Sequence, residues 1–200
     1  MPMNIKGIYK DVLWQDGEII YDPGWRSNRI VNDYGRFLAA LMKKEFIKTD
    51  FEQTIGLEYM AFGSVNNGVD GFKDMIKRYF EQVLADPANT APLVDNALNQ
   101  WAWAKKLNHV SNMAYIDEND QAVFDQITSK LKIEVKLEKN EPSDQSLVLN
   151  EFSLIGIPKK SDGNIDPEHL FMVNYVNHGD ITKVATMELS RTIHLNFPLE

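Results

Sequence analysis

The stretch at residues 186–197, T-M-E-L-S-R-T-I-H-L-N-F, decides the fold class of this chain. Side chains on a β-strand point to alternate faces of the sheet, and here apolar and polar residues alternate throughout. One face carries Met187, Leu189, Arg191, Ile193, Leu195 and Phe197. The other face carries Thr186, Glu188, Ser190, Thr192, His194 and Asn196. The pattern predicts a strand in a sheet that is packed on one side and wet on the other.

Further β-prone runs lie upstream, bounded by residues that favour turns. Residues 130–138 alternate in the same way, with lysines and glutamates on one face that can pair across strands. Residues 147–157 are more continuously apolar, as expected of a strand covered on both faces. Other predicted strands cover residues 5–13, 18–21, 54–62, 109–116 and 170–176. The residues Asn177-His178-Gly179-Asp180 predict the turn before the last strand.

Two segments change to the helical period. Residues 30–46 and 71–85 both place apolar side chains at i, i+3, i+4 and i+7, which predicts amphipathic helices. Asp86-Pro87 ends the second helix, because the residue before proline is pushed out of the α region. The predicted class is α+β and β-dominated: an antiparallel β-sandwich with two amphipathic helices. We expect one domain over residues 1–200, with a helical insertion at about 65–94 that exceeds the needs of the sandwich.

Composition limits the functional classes. The net charge of −8 argues against a duplex nucleic-acid binder, which needs a basic footprint. The absence of cysteine excludes disulfides, thiolate metal sites and cysteine nucleophiles. The sequence shows no apolar run long enough for a membrane span and no signal-peptide pattern at its start. We therefore expect a protein made in a cytoplasm, without a membrane span.

No catalytic, cofactor or metal site is predicted. The four histidines are scattered, and the histidine spacings of helical metal sites are absent. His194 is expected to be solvated on the polar face of the last strand. Asp117, Glu118, Asp120 and Asp125 lack the glycine of a calcium loop and are expected at a solvated hairpin tip. Arg191, on the apolar face, is expected to pair with a carboxylate or to reach outward along its stem.

The segment Trp101-Ala102-Trp103 is either a short helix or part of a strand; in a strand both indoles share one face. Exposed, the pair would form a partner interface or stack on bases or sugars. Buried, it would belong to the core between sheet and helices, with each N–H bonded to a partner. Burial is the favoured interpretation, and the interface is kept as the alternative.

Five ordered segments resemble a family of small structural proteins of tailed-phage virions, encoded near tail-fibre and baseplate genes. The segments are N-R-I-V-N-D-Y-G from Asn28, Y-M-A-F-G-S from Tyr59, D-N-A-L from Asp95, N-E-F-S-L-I from Asn150 and L-S-R-T-I from Leu189. The match spans about residues 24–197 and departs from the family at residues 65–94. Related parts occur in phage-like contractile injection systems.

The resemblance implies a non-enzymatic structural component of a virion tail or injection machine that mediates protein–protein assembly. Its expected place is a tail, baseplate, fibre-attachment or connector subunit in a particle made in the bacterial cytoplasm. Expected partners are other particle proteins and further copies of the chain in a homo-oligomer; no nucleic acid is expected. The predicted interface residues are Trp101, Trp103, Asn66, Asn67 and Gly68, with the insertion at a neighbour contact. The alternative function is a carbohydrate- or ligand-binding β-sandwich module that uses the tryptophan pair.

Overall fold

The computed structural model describes residues 6–30, 56–124, 128–160 and 162–196. Over these ranges the chain is α+β and β-dominated, with antiparallel sheets, one α-helix and one short 3-10 turn. The predicted first helix, at residues 30–46, lies outside the described residues apart from Ile30, which ends a strand. No helix in the described ranges is long and apolar enough to cross a membrane.

The strands are numbered in chain order. They are β1 (Lys6–Gln15), β2 (Glu18–Tyr21), β3 (Arg26–Ile30), β4 (Tyr59–Ser64), β5 (Leu93–Asp95), β6 (Gln100–Lys106), β7 (Met113–Ile116), β8 (Ala122–Val123), β9 (Lys130–Leu137), β10 (Leu147–Gly156), β11 (Phe171–Met172), β12 (Asn174–Lys183) and β13 (Met187–Asn196). The helix α1 (Gly68–Ala85) follows β4, and the 3-10 turn (Pro167–His169) precedes β11.

The chain divides into two compact units, and the first comprises Met1–Ile30, Leu107–Leu147 and Lys183–Glu200. Its sheet has the strand order β3-β1-β13-β9-β7-β8, and β2 also pairs with β1. The antiparallel pair of β1 and β13 runs from Lys6 opposite Asn196 to Gln15 opposite Met187. Asp16 and Gly17, both at positive φ, form the predicted turn between β1 and β2.

The predicted alternation of β13 is confirmed. Its buried side chains are Leu189, Arg191, Ile193 and Leu195, and the polar residues between them are only partly covered. The neighbouring strand β9 alternates in the same way. The Lys136 Nζ lies 3.1 Å from the Glu188 Oε2 on β13, so the predicted cross-strand charge pair is present.

The second unit comprises Val31–Lys106 and Val148–Thr182. Its sheet has the order β5-β6-β4-β10-β12, and β11 pairs with β10. In the antiparallel pair of β4 and β10, Gly63 lies opposite Glu151. Residues 149–156 of β10 are all buried, which confirms a strand covered on both faces.

The predicted helix at residues 71–85 is confirmed as α1, one turn longer at its start. Its buried side chains are Phe72, Met75, Ile76, Tyr79 and Phe80, while Val83 is only half-buried. A Cβ on Gly63 would lie 2.8 Å from the Phe72 ring, so only glycine permits this approach of the helix to β4. The buried face of α1 therefore supplies core to its own unit.

Two local predictions differ from the structure, and a third segment, left open between helix and strand, is strand. Residues 177–180 are not a turn but the middle of β12, and Val184 begins the turn to β13 by accepting a hydrogen bond from the Met187 N–H at 3.0 Å. Residues 109–112 are not strand, because the Asn108 Oδ1 accepts the amides of Val110 and Ser111 and closes a turn. Residues 94–103 form the β5–β6 hairpin.

Candidate functional site

The predicted interface residues Asn66, Asn67 and Gly68 form the connection from β4 to α1 and are exposed. Asn66 and Gly68 adopt positive φ values of 60° and 70°. Such angles favour asparagine and glycine, so the composition of the loop follows from its geometry. Asn66 and Asn67 line a polar cavity of the second unit.

The tryptophan pair is buried. Trp101 and Trp103 lie on β6 and are 5% and 8% exposed. The Trp101 indole N–H donates to the Val148 carbonyl at 2.9 Å, and the Trp103 indole N–H donates to the Thr90 carbonyl at 2.9 Å. These bonds satisfy both indoles, as the favoured interpretation requires. Because so little of either ring is exposed, the tryptophans cannot stack on a base or a sugar. Both belong to the hydrophobic core.

The Glu151 carboxylate holds this loop in place by hydrogen bonds, although Glu151 lies in the middle of the apolar strand β10. Its carboxylate is fully buried and accepts the backbone N–H groups of Val65 and, at 3.0 Å, Asn66. Its other oxygen accepts the Tyr175 hydroxyl at 2.6 Å. Burial, followed by this hydrogen bond, raises the pKa of Tyr175. Three donors therefore hold a charge that would otherwise be costly to bury.

The cavity beside this loop, which we call the amide cleft, has a volume of about 400 Å³. Its polar lining consists of five carboxamides, on Asn66, Asn67, Asn99, Gln100 and Asn150, together with Ser64 and Asp180. The Asn150 Nδ2 donates to the Asp180 Oδ1 at 3.0 Å, and the Gln100 Nε2 donates to the Val65 carbonyl at 2.6 Å. Asp180 reaches the cleft from β12 because residues 177–180 are strand.

In the first unit, Arg191 pairs with a carboxylate, one of the two outcomes expected for it. Its Nε and Nη2 lie 2.5 Å and 3.0 Å from the two carboxylate oxygens of Asp11. The two residues stand opposite each other on β13 and β1 and are 0% and 2% exposed. Both hydrogen bonds join a cation to an anion and are therefore charge-assisted, and the two together form a bidentate pair.

The expectation of a solvated His194 is wrong, since its side chain is only 12% exposed. The Trp25 ring covers it, with ring centroids 4.6 Å apart. Burial lowers the pKa of His194, and the negative charge of Asp120 partly offsets this effect. Together with Ile8 and Ile116, His194 and Asp120 line a mainly apolar cavity of about 270 Å³.

The acidic cluster forms the expected turn, between β7 and β8. The Asp117 Oδ1 accepts the backbone N–H groups of Asn119 at 2.8 Å and Gln121 at 2.9 Å. These bonds lower the pKa of the Asp117 carboxyl. Asp125 lies outside the described residues. Among the described residues no group of three or more His, Cys, Asp or Glu side chains could hold a metal ion.

No protein-family model matches this chain, and no curated protein or solved structure is detectably similar to it.

Proposed function

We propose that this protein is a non-enzymatic assembly subunit that forms homo-oligomers within a virion tail or a phage-like injection machine. The assembly part rests on β2, and the particle part rests on the resemblance of the five ordered segments. We also propose that the chain is made in a bacterial cytoplasm and that its partners are other particle proteins. The same proposal includes the packing of the sheets as a β-sandwich and a second amphipathic helix.

Strand β2 carries the assembly proposal. Ile19 and Ile20 point to opposite faces of the strand, yet they are 51% and 47% exposed. In the described part of the chain β2 pairs only with β1, so its other edge is open. An open strand edge with exposed apolar side chains is a template for a second strand, and a partner that covers it removes apolar area from water.

The partner we propose for this edge is a second copy of the chain. If two β2 strands pair antiparallel about a two-fold axis between Ile19 and Ile20, each Ile19 faces the partner's Ile20. Glu18 then faces the partner's Tyr21, so no like charges meet. A self-complementary strand of this kind suits the isologous contact of a symmetric dimer. Such a dimer would be the building block of a larger assembly.

The resembling segments have structural roles wherever the structure describes them. Tyr59–Ser64 is β4, and it pairs with the N-E-F-S-L-I segment of β10. The Asp95 Oδ1 accepts the backbone N–H groups of Ala97 and Leu98, which explains the D-N-A-L segment as a turn. Leu189 and Ile193 belong to the buried face of β13. These segments supply strands and a turn rather than reactive side chains, and this supports a scaffold protein.

The alternative, a carbohydrate- or ligand-binding module built on Trp101 and Trp103, loses its main support because both rings are buried. An enzyme has weaker support still. The closest approach to an acid–base pair at a described cavity is the 3.8 Å between the His194 Nδ1 and the Asp120 Oδ1, which exceeds hydrogen-bond reach.

Size-exclusion chromatography with light scattering tests the assembly proposal. The wild-type chain should form a dimer or a larger oligomer, and the double variant Ile19→Lys/Ile20→Lys should be a folded monomer. Val110→Lys is the matched control, because Val110 is 90% exposed but lies in a loop. A monomeric wild type, or an oligomer that survives both lysines, would contradict the role of β2.

The particle part has a separate test. An antibody against the chain should label phage or phage-like particles released by the cells that encode it, seen by immunogold electron microscopy. Label that stays in the soluble cell fraction and never sediments with particles would reject that part of the proposal.

A further inference from the structure

The amide cleft has a polar lining that the pairing of β2 does not use. Its volume of about 400 Å³ lies within the range of small-molecule sites, roughly 300–1,000 Å³. The lining also includes three apolar residues: the buried Val65, and Leu98 and Val148, which are 61% and 37% exposed. A polar wall next to an apolar one is the usual composition of a site for a small ligand.

One buried acceptor in this lining has no partner. Asn150 is 6% exposed, and its Nδ2 donates to Asp180, which fixes the orientation of the amide. The Asn150 Oδ1 is then buried without a hydrogen-bond partner in the described chain. Buried polar groups are almost always satisfied, so an unpaired acceptor at a cavity points to a donor that comes with a ligand.

The charges of the lining restrict the ligand. Asp180 is the one charged side chain among the residues that line the cleft, and none of these residues is Lys, Arg or His. An anion would meet a carboxylate without a compensating cation. A calcium ion can also take carboxamide oxygens, but its affinity depends on the number of carboxylate charges around it, and the cleft offers one. The lining therefore favours a neutral ligand.

We propose that the amide cleft binds a neutral saccharide unit. A sugar hydroxyl both donates and accepts, and so does a carboxamide, so five carboxamides and one carboxylate can satisfy several hydroxyls at once. One hydroxyl donates to the Asn150 Oδ1, and the C–H face of the ring packs against Leu98 and Val148. This activity is separate from the proposed assembly through β2.

The cleft is held in shape before a ligand arrives. The buried Glu151 fixes the backbone N–H groups of Val65 and Asn66, and Gln100 holds the Val65 carbonyl. Asn99, on the facing wall, has a φ of 51° in the β5–β6 turn. Because little has to be ordered on binding, a few hydrogen bonds suffice for measurable affinity.

Titration of the purified full chain with a panel of neutral mono- and disaccharides, followed by NMR chemical shifts and calorimetry, tests the proposal. At least one sugar should bind saturably and shift the amide signals of Asn66, Asn99 and Asn150. Asp180→Ala should weaken that binding by about tenfold, the equivalent of one hydrogen bond involving a charged group, and Asn99→Gly by about fivefold, the equivalent of one neutral hydrogen bond. Asn140→Gly is the matched control, because Asn140 also has positive φ, at 64°, but is not a cleft residue.

Several results would overturn the proposal. One is that no sugar of the panel binds saturably. Another is that the folded Asp180→Ala and Asn99→Gly variants bind the sugar as tightly as the wild type does. Binding of calcium or of a blocked neutral tripeptide in place of sugars would assign the cleft to a cation or to a partner's backbone. The Ile19→Lys/Ile20→Lys variant should keep full sugar affinity, so failure of the assembly proposal would be visible separately.

Discussion

In the first unit Arg191 and Asp11 form a buried ion pair with two hydrogen bonds. Arg191→Met leaves the Asp11 carboxylate buried without its cation, which should cost about 3–5 kcal/mol of unfolding free energy. The double variant Asp11→Leu/Arg191→Met should recover most of that loss, because both charges are gone. Urea unfolding of the four proteins of this cycle measures the coupling. A loss in the double variant that equals the sum of the two single losses would show that the pair is not coupled.

His194 makes the first unit sensitive to pH. Burial lowers its pKa in the folded protein below the value of about 6.5 in the unfolded chain. The unfolded state therefore binds more protons between the two values, so stability is fully present above about pH 6.5 and is lost as pH falls through the lowered pKa. His194→Gln should flatten this loss in melting curves recorded from neutral to acidic pH. His169→Gln is the control, because the His169 side chain is 65% exposed.

Glu151 is a residue whose role the sequence could hint at but not assign. A glutamate inside a continuously apolar strand is a signal of a buried, bonded carboxylate. Its partners come from residues 65, 66 and 175, and nothing in the local pattern links those positions to it. For the same reason the amide cleft was not predictable: it joins Asn66, Asn150 and Asp180 from three separate segments.

At the scale of elements, α1 is the most predictable part of the chain, since its helical period is set by residues near one another in sequence. Ile76 is fully buried in it. Ile76→Asp should destabilise the second unit by about 4 kcal/mol or more, because it places a carboxylate at a fully buried apolar position. Ile76→Val, which removes one methylene, should cost only about 0.5–1.5 kcal/mol. Similar melting temperatures for the two variants would contradict the packing of α1.

Strand β12 shows where local patterns fail. The residues N-H-G-D favour turns, but hydrogen bonding within the sheet overrides that preference and keeps the strand continuous from Asn174 to Lys183. His178 is buried, while Asn177, Gly179 and Asp180 are exposed. In contrast, β13 and β9 alternate strictly, and both were predicted together with their faces. The strands were therefore predictable where one face is buried and the other is charged.

At the scale of the whole molecule, residues 67–92 include the helix α1, whose buried face contributes to the core of the second unit. Their deletion, bridged by a short glycine-serine linker, should expose the sheet face that Phe72, Ile76 and Phe80 cover. We expect loss of cooperative unfolding of residues 56–66, 93–106 and 148–182 in hydrogen-exchange experiments, because the exposed sheet face loses its apolar cover. A deletion variant whose exchange protection stays intact would show that α1 is dispensable for the fold.

The pairing of β1 with β13 has a kinetic consequence. Asp11 and Arg191 are 180 positions apart along the chain. During synthesis β1 leaves the ribosome early and keeps one edge unpaired until residues 187–196 have been made. Contacts this distant in sequence slow folding, and an unpaired apolar edge invites aggregation in the meantime. The first unit should therefore acquire its structure only after residues 187–196 have been made, and its yield in cells should depend on chaperones that shield β1 until then.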